Sequence, residues 1–205
     1  GLVGSEMCIR DSVWTSPKQA KIQVDNIVNT LSQASPQAKD AFTAAGKKYT
    51  DQLEDLDKWA SDSMSAVPEQ DRVLFSSHDA FGYFSNEYGV KFIGSALSDF
   101  NHQQDATSSH IDEQVKKVRE SGAKAIFAEN SNNSKSIEAI ARAAGVKAVT
   151  SDDALYGDSL GVPGSEGETY IGSIVHNINT LVSAWDSKQQ PLPESLQEFD
   201  FAKRK

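Results

Sequence analysis

Cysteine is almost missing from this sequence: Cys8 is the only one in 205 residues. A lone thiol excludes an internal disulfide and any thiolate metal cage, so a metal held by this chain must use imidazole nitrogen and carboxylate oxygen. Scarce cysteine suits the cytoplasm and a bacterial extracytoplasmic space equally, and leaves the compartment open. Long apolar runs are also missing; none approaches the roughly 20 residues of a membrane helix. Nor is there a basic excess. The net charge is −9, with Lys and Arg scattered among Asp and Glu, which excludes a phosphate-neutralising nucleic-acid surface and suits a cationic or neutral ligand. Gly-rich phosphate loops of the GxGxxG or GxxxxGK[ST] type do not occur. A hydrolase alternative would use Ser76 or Ser77 with His78 and Asp158, but no GxSxG elbow is present, and Ser and His adjacent on a strand point apart. Gly1 to Asp11 has no charged start, apolar stretch or small-residue cleavage site, so it is no signal peptide. Residues 1–12 are taken as a non-native stretch and set aside, Cys8 with them.

The remainder divides into 13–67, read as the remnant of one lobe plus a long connecting helix, 68–188 as a second lobe, and 189–205 as an irregular tail. Ser16 as N-cap and Pro17 at the first helical position start an amphipathic helix carrying Ile22, Ile27, Val28 and Leu31. Ser35-Pro36 repeats that signal, and the stretch to about Met64 predicts a second helix on the order of 40 Å long at 1.5 Å per residue. Its length suits a strut between lobes. Its Phe42, Tyr49, Leu53, Leu56 and Trp59 read as packing residues, and its Asp51, Glu54, Asp55 and Asp57 as a solvated face. After Pro68, short apolar runs alternate with helical patterns, which predicts an α/β fold with a four-stranded parallel sheet flanked by helices. The strands are expected at Val73–Ser76, Lys91–Ala96, Ala125–Ala128 and Ala148–Thr150. Helices are expected at Ala80–Tyr88, Ile111–Ser121, Ser134–Ala144 and Thr169–Ser187, with Gly122 and Gly145 as left-handed C-caps.

Ligands of open α/β sheets sit beyond the carboxyl ends of the strands. The residues found there are polar: Ser77, His78 and Asp79, then Glu129 and Asn130, then Asp152, Asp153 and Asp158. Imidazole and carboxylate without thiolate suit Zn²⁺ or Mn²⁺, although polar residues at strand ends are also simply where loops begin. His102 and His110, with Asp99, Asp105 and Asp112, read as a solvated loop rather than a metal collector. His176 reads as a packing histidine.

His78-Asp79-Ala80-Phe81-Gly82-Tyr83-Phe84 followed by Tyr88-Gly89-Val90 resembles the HxAFGYF...YG segment of the zinc and manganese ABC transporter substrate-binding proteins of the ZnuA, TroA and PsaA lineage. Leu155-Tyr156-Gly157-Asp158-Ser159-Leu160, Thr169-Tyr170 and His176-Asn177 are similar to that family's late segments. The resemblance runs from about Val13 to Asp186. It implies that His78 and Asp158 are metal ligands. Independently of the resemblance, Glu129 and Asp153 stand on the same rim as candidate acceptors behind a ligand histidine, with capping of the strand end as the other reading of Asp152 and Asp153. The family's other two ligands are histidines of an N-terminal lobe, one in a DPHxWxxP-like segment. Val13-Trp14-Thr15-Ser16-Pro17 matches its second half, and Ser12 stands where that histidine belongs. The chain is therefore expected to keep half a site, with most of the N-terminal lobe missing and metal affinity reduced. The resemblance further implies a monomeric, non-enzymatic protein that captures a divalent ion and hands it to an ABC permease. Zinc is favoured over manganese by the histidine at 78. The expected location is periplasmic or extracytoplasmic and membrane-anchored, and a metal-independent role in cell adhesion on the same fold is the alternative.

Overall fold

A computed structural model of the chain describes residues 12–97 and 108–201, without the side chains of 108–110. The first helix, α1 (Pro17–Ala34), begins as the residues dictate: the Ser16 hydroxyl accepts the Gln19 N–H, and Pro17 occupies a position whose N–H would be unpaired anyway. A 3-10 turn at Pro36–Ala38 reverses the chain into α2 (Lys39–Ser65), which at 27 residues spans about 40 Å. The two helices approach closely at Gly46, where a Cβ would lie 2.3 Å from Val28 Cγ2. Their contact uses a narrow strip. Ile22, Ile27 and Leu31, expected on a packing face, are 51%, 56% and 43% exposed, because nothing among the described residues covers the far side of α1.

The later half of α2 enters the core of the α/β unit through Leu53, Leu56, Trp59, Ala60 and Met64. That unit follows in order: β1 (Val73–Ser76), α3 (Gly82–Tyr88), β2 (Lys91–Ser95), α4 (Ser108–Ser121), β3 (Ala125–Phe127), α5 (Lys135–Ala144), β4 (Lys147–Val149) and α6 (Tyr170–Ala184). Gly122 and Gly145 have φ of +73° and +77°, the left-handed C-cap geometry anticipated for them. The expected strands are all present and parallel, but as two pairs, β1 with β2 and β3 with β4, rather than as one hydrogen-bonded sheet of four. β1 lies beside β3 without a ladder between them. At one end of that seam the Val73 carbonyl accepts from the Trp185 indole; at the other the Ser77 hydroxyl accepts the Glu129 N–H. Side-chain groups thus make connections that a continuous ladder would have made.

Strand sidedness explains the layers. Leu74, Ala125 and Phe127 point into a core shared with α2, α3 and α6, while Val73, Phe75, Ile126 and Ala128 point into a second core closed by α4 and α5. Both faces are covered, as parallel strands require. The terminal stretch, read as an irregular tail, has no α-helix or strand among its described residues, 189–201, but is docked. A 3-10 segment, Glu194–Phe199, buries Leu196 completely and ties to α2 through Ser195 Oγ with Asp55 and Gln52 with Glu198.

Candidate metal centre

Strand β1 delivers His78 to the rim. Ser76, the last residue of β1, turns its hydroxyl onto the His78 carbonyl (2.7 Å), and the adjacent Ser77 hydroxyl accepts from Glu129 N (3.2 Å). Both serine hydroxyls are thus engaged with backbone groups.

Glu129 follows β3 and is buried, with 1% exposure. Its Oε1 accepts the His78 backbone N–H at 3.0 Å. Its Oε2 stands 2.6 Å from His78 Nδ1, an ion-pair approach without hydrogen-bond alignment. The Asn132 carboxamide lies 3.3 Å from the same nitrogen. One carboxylate thus holds both the backbone and the ring of His78, and leaves Nε2 directed at Asp158 Oδ2, 2.8 Å away. Burial alone would push the His78 ring towards lower pKa, but the carboxylates of Glu129 and Asp158 outweigh it and raise the value from 6.5 to about 9. In the absence of metal, His78 is an imidazolium between two carboxylates at neutral pH.

Asp158 reaches this position because the chain turns back after β4. A 3-10 turn at Ser151–Asp153, entered through Ser151 at φ +58°, returns the backbone to the end of β3, where Leu155 bridges Glu129 in parallel. The Asn177 side chain on α6 then grips Tyr156 on both sides, its Oδ1 accepting from Tyr156 N (2.8 Å) and its Nδ2 donating to Tyr156 O (2.9 Å). Gly157 passes so close to Glu129 that a Cβ would lie 2.4 Å from Oε2, so any larger residue would have to displace the buried carboxylate. Its carbonyl accepts from the Trp14 indole at 2.8 Å. A cleft of about 330 Å³ opens beside Asp158, lined in part by Trp14, Tyr156, Tyr170 and Ile174.

The structure therefore brings together His78, Glu129 and Asp158. Asp153 is elsewhere: it is exposed and borders a different cavity, with Glu166 and His176. His176 is the packing histidine it was read to be, with Nδ1 on Glu166 (2.7 Å), Nε2 on the Ala154 carbonyl (3.0 Å) and Tyr156 packed edge-on. His102, Asp99 and Asp105 fall outside the described residues, as does the side chain of His110, while Asp112 is exposed. Among the described residues no group of three or more His, Cys, Asp or Glu side chains is arranged as a metal cage. Sequence reasoning quoted Trp14 and Asn177 only as parts of matching segments and gave them no task; Asn132 carried no signal at all.

An imidazole backed by a buried carboxylate and facing a second carboxylate stands at the carboxyl ends of the parallel strands, where ligands of α/β folds sit. The chain belongs to the family described as zinc-uptake complex component A, periplasmic (ZnuA), which it matches over residues 11–184. It is 40% identical over 174 residues to the manganese-binding lipoprotein MntA of Bacillus subtilis, and 31% identical over 174 residues to the zinc-binding protein TroA of Treponema pallidum; each match covers 84% of this chain and 56% of the relative. The solved structure of periplasmic zinc-binding protein TroA from Treponema pallidum superposes with a TM-score of 0.77 at 29% identity, covering 86% of this chain and 64% of that one. The chain thus spans a little over half the length of these curated relatives.

Proposed function

We propose that this chain supplies one side of a site that captures a divalent metal ion for delivery to an ABC permease outside the cytoplasm, as a monomeric carrier and not as an enzyme. The observation that carries this reading is the His78 ring, held from behind by buried Glu129 and presenting Nε2 to Asp158 at 2.8 Å. His78 Nε2 and an Asp158 oxygen are the protein ligands. Glu129 orients the ring and raises its basicity, as carboxylates behind metal-bound histidines do. Loading exchanges the imidazolium proton for the ion, which then sits between nitrogen and oxygen donors. That donor set suits zinc and accepts manganese; relatives bearing either metal in their names support both, and the imidazole at 78 favours zinc. His78 and Asp158 leave the remaining positions of a four-coordinate ion to other donors. Isothermal calorimetry with Zn²⁺ on the chain and on His78→Ala tests the assignment. The heat of binding is expected to vanish in the variant, and an unchanged isotherm would sink it.

A further inference from the structure

We propose that Trp14 is a positioning residue for Asp158, setting the carboxylate through the peptide group that precedes it. The inference rests on the reading of Asp158 as a ligand given above. The Gly157 carbonyl and the Asp158 N–H belong to one planar peptide unit. Trp14 Nε1 donates to that carbonyl at 2.8 Å and so fixes the rotation of the unit from which the Asp158 side chain departs.

Trp14 is itself anchored. Its backbone carbonyl accepts from the Tyr170 hydroxyl at 2.6 Å, and burial pushes the Tyr170 phenol up, so it remains a donor. The 3-10 turn Val13–Thr15 that carries Trp14 is closed by Thr15, whose N–H and hydroxyl both reach the Ser12 carbonyl, at 3.2 and 2.8 Å. The contact joins residues 143 apart in sequence.

The other restraints leave this one distinct. Leu155 is fixed by its bridge to Glu129, and Tyr156 by Asn177. Gly157 is confined on one side by Glu129 but has no side chain of its own with which to set its torsions. Glycine is the residue with the widest backbone freedom, so the orientation of its carbonyl must come from outside. Asp158 is 44% exposed at its side chain, and no other described residue holds it except His78. Replacing the indole by a phenyl ring removes this donor while keeping an aromatic group at the position, and leaves Asp158 held by His78 alone.

The test uses the full chain without metal and reads the titration of the His78 ring by NMR in the wild type, Trp14→Phe, Asp158→Asn and the double variant. Asp158→Asn is expected to lower the His78 midpoint. Trp14→Phe is expected to lower it in the same direction, and to have no further effect in the double variant. If Asp158→Asn leaves the titration unmoved, the pairing of His78 with Asp158 fails. If Asp158→Asn moves it and Trp14→Phe does not, or if the two effects add, the role of Trp14 is overturned while the site stands. A Zn²⁺ competition titration gives the second readout: Trp14→Phe is expected to weaken binding about tenfold, as loss of a contact behind a ligand does, without a matching fall in thermal midpoint. Weakening that persists in full on the Asp158→Asn background would assign Trp14 a general structural role instead.

Discussion

Raising the pH of the metal-free chain from 6 to 10 removes the charge from His78, and the cost of doing so follows from its neighbours. Burial works against the imidazolium, yet Glu129 and Asp158 hold its pKa at about 9 against 6.5 for a free histidine. The folded value lies above the unfolded one. The ion pairs therefore stabilise the fold in full below about 6.5, and their contribution is lost as the pH rises through about 9. A displacement of that size corresponds to about 3.5 kcal/mol at roughly 1.4 kcal/mol per unit. Water reaching the Asp158 carboxylate, 44% exposed, screens this to about 1–2 kcal/mol. Urea unfolding in the presence of EDTA, run at pH 6 and pH 10 on the wild type and on His78→Gln, isolates the effect from other titrating groups. The wild type should lose about 1–2 kcal/mol more than the variant across that range. Parallel pH curves for the two proteins would refute the imidazolium held between two carboxylates.

The remaining predictions concern the same corner of the molecule. Metal must displace the His78 proton, so apparent Zn²⁺ affinity should rise about tenfold per pH unit between roughly pH 6.5 and 8; calorimetry in buffers of different ionisation enthalpy should report about one proton released, and a pH-independent affinity would contradict it. Gly157→Ala forces a methyl to within 2.4 Å of Glu129 Oε2, which should destabilise the chain by about 1–3 kcal/mol in urea unfolding. An unchanged midpoint would mean that the loop can withdraw from Glu129.

Much of this was legible in the residues, for identifiable reasons. Ser16-Pro17 marked the start of α1 and the glycines at 122 and 145 marked helix ends, because caps depend on local chemistry that a few residues contain. Strand positions came within a residue or two, since a buried parallel strand is a short apolar run whatever surrounds it. The pairing of strands was less accessible. Whether β1 and β3 share a ladder depends on a few hydrogen bonds at the seam, and there Trp185 and Ser77 supply side-chain partners from distant parts of the chain. The packing face of α1 was misjudged for a related reason: apolar periodicity identifies a face but not what covers it, and Ile22, Ile27 and Leu31 remain exposed. In the candidate site, His78, Glu129 and Asp158 could be placed on one rim from topology and motif. Asp153, expected behind a ligand histidine, was misplaced, because the turn at Ser151 decides which carboxylate returns to β3 and which borders another cavity. The task of Trp14 was equally hidden, since it is exercised on a carbonyl 143 residues away.

His78 is proposed to supply the nitrogen ligand of a divalent ion, with Asp158 beside it. Pulsed EPR of the chain loaded with Mn²⁺ reads nitrogen ligation directly, through the modulation a coordinated imidazole imposes on the metal's electron spin. Imidazole modulation is expected in the wild type and its loss in His78→Gln; modulation that survives in the variant, or is absent from the loaded wild type, would contradict ligation by His78.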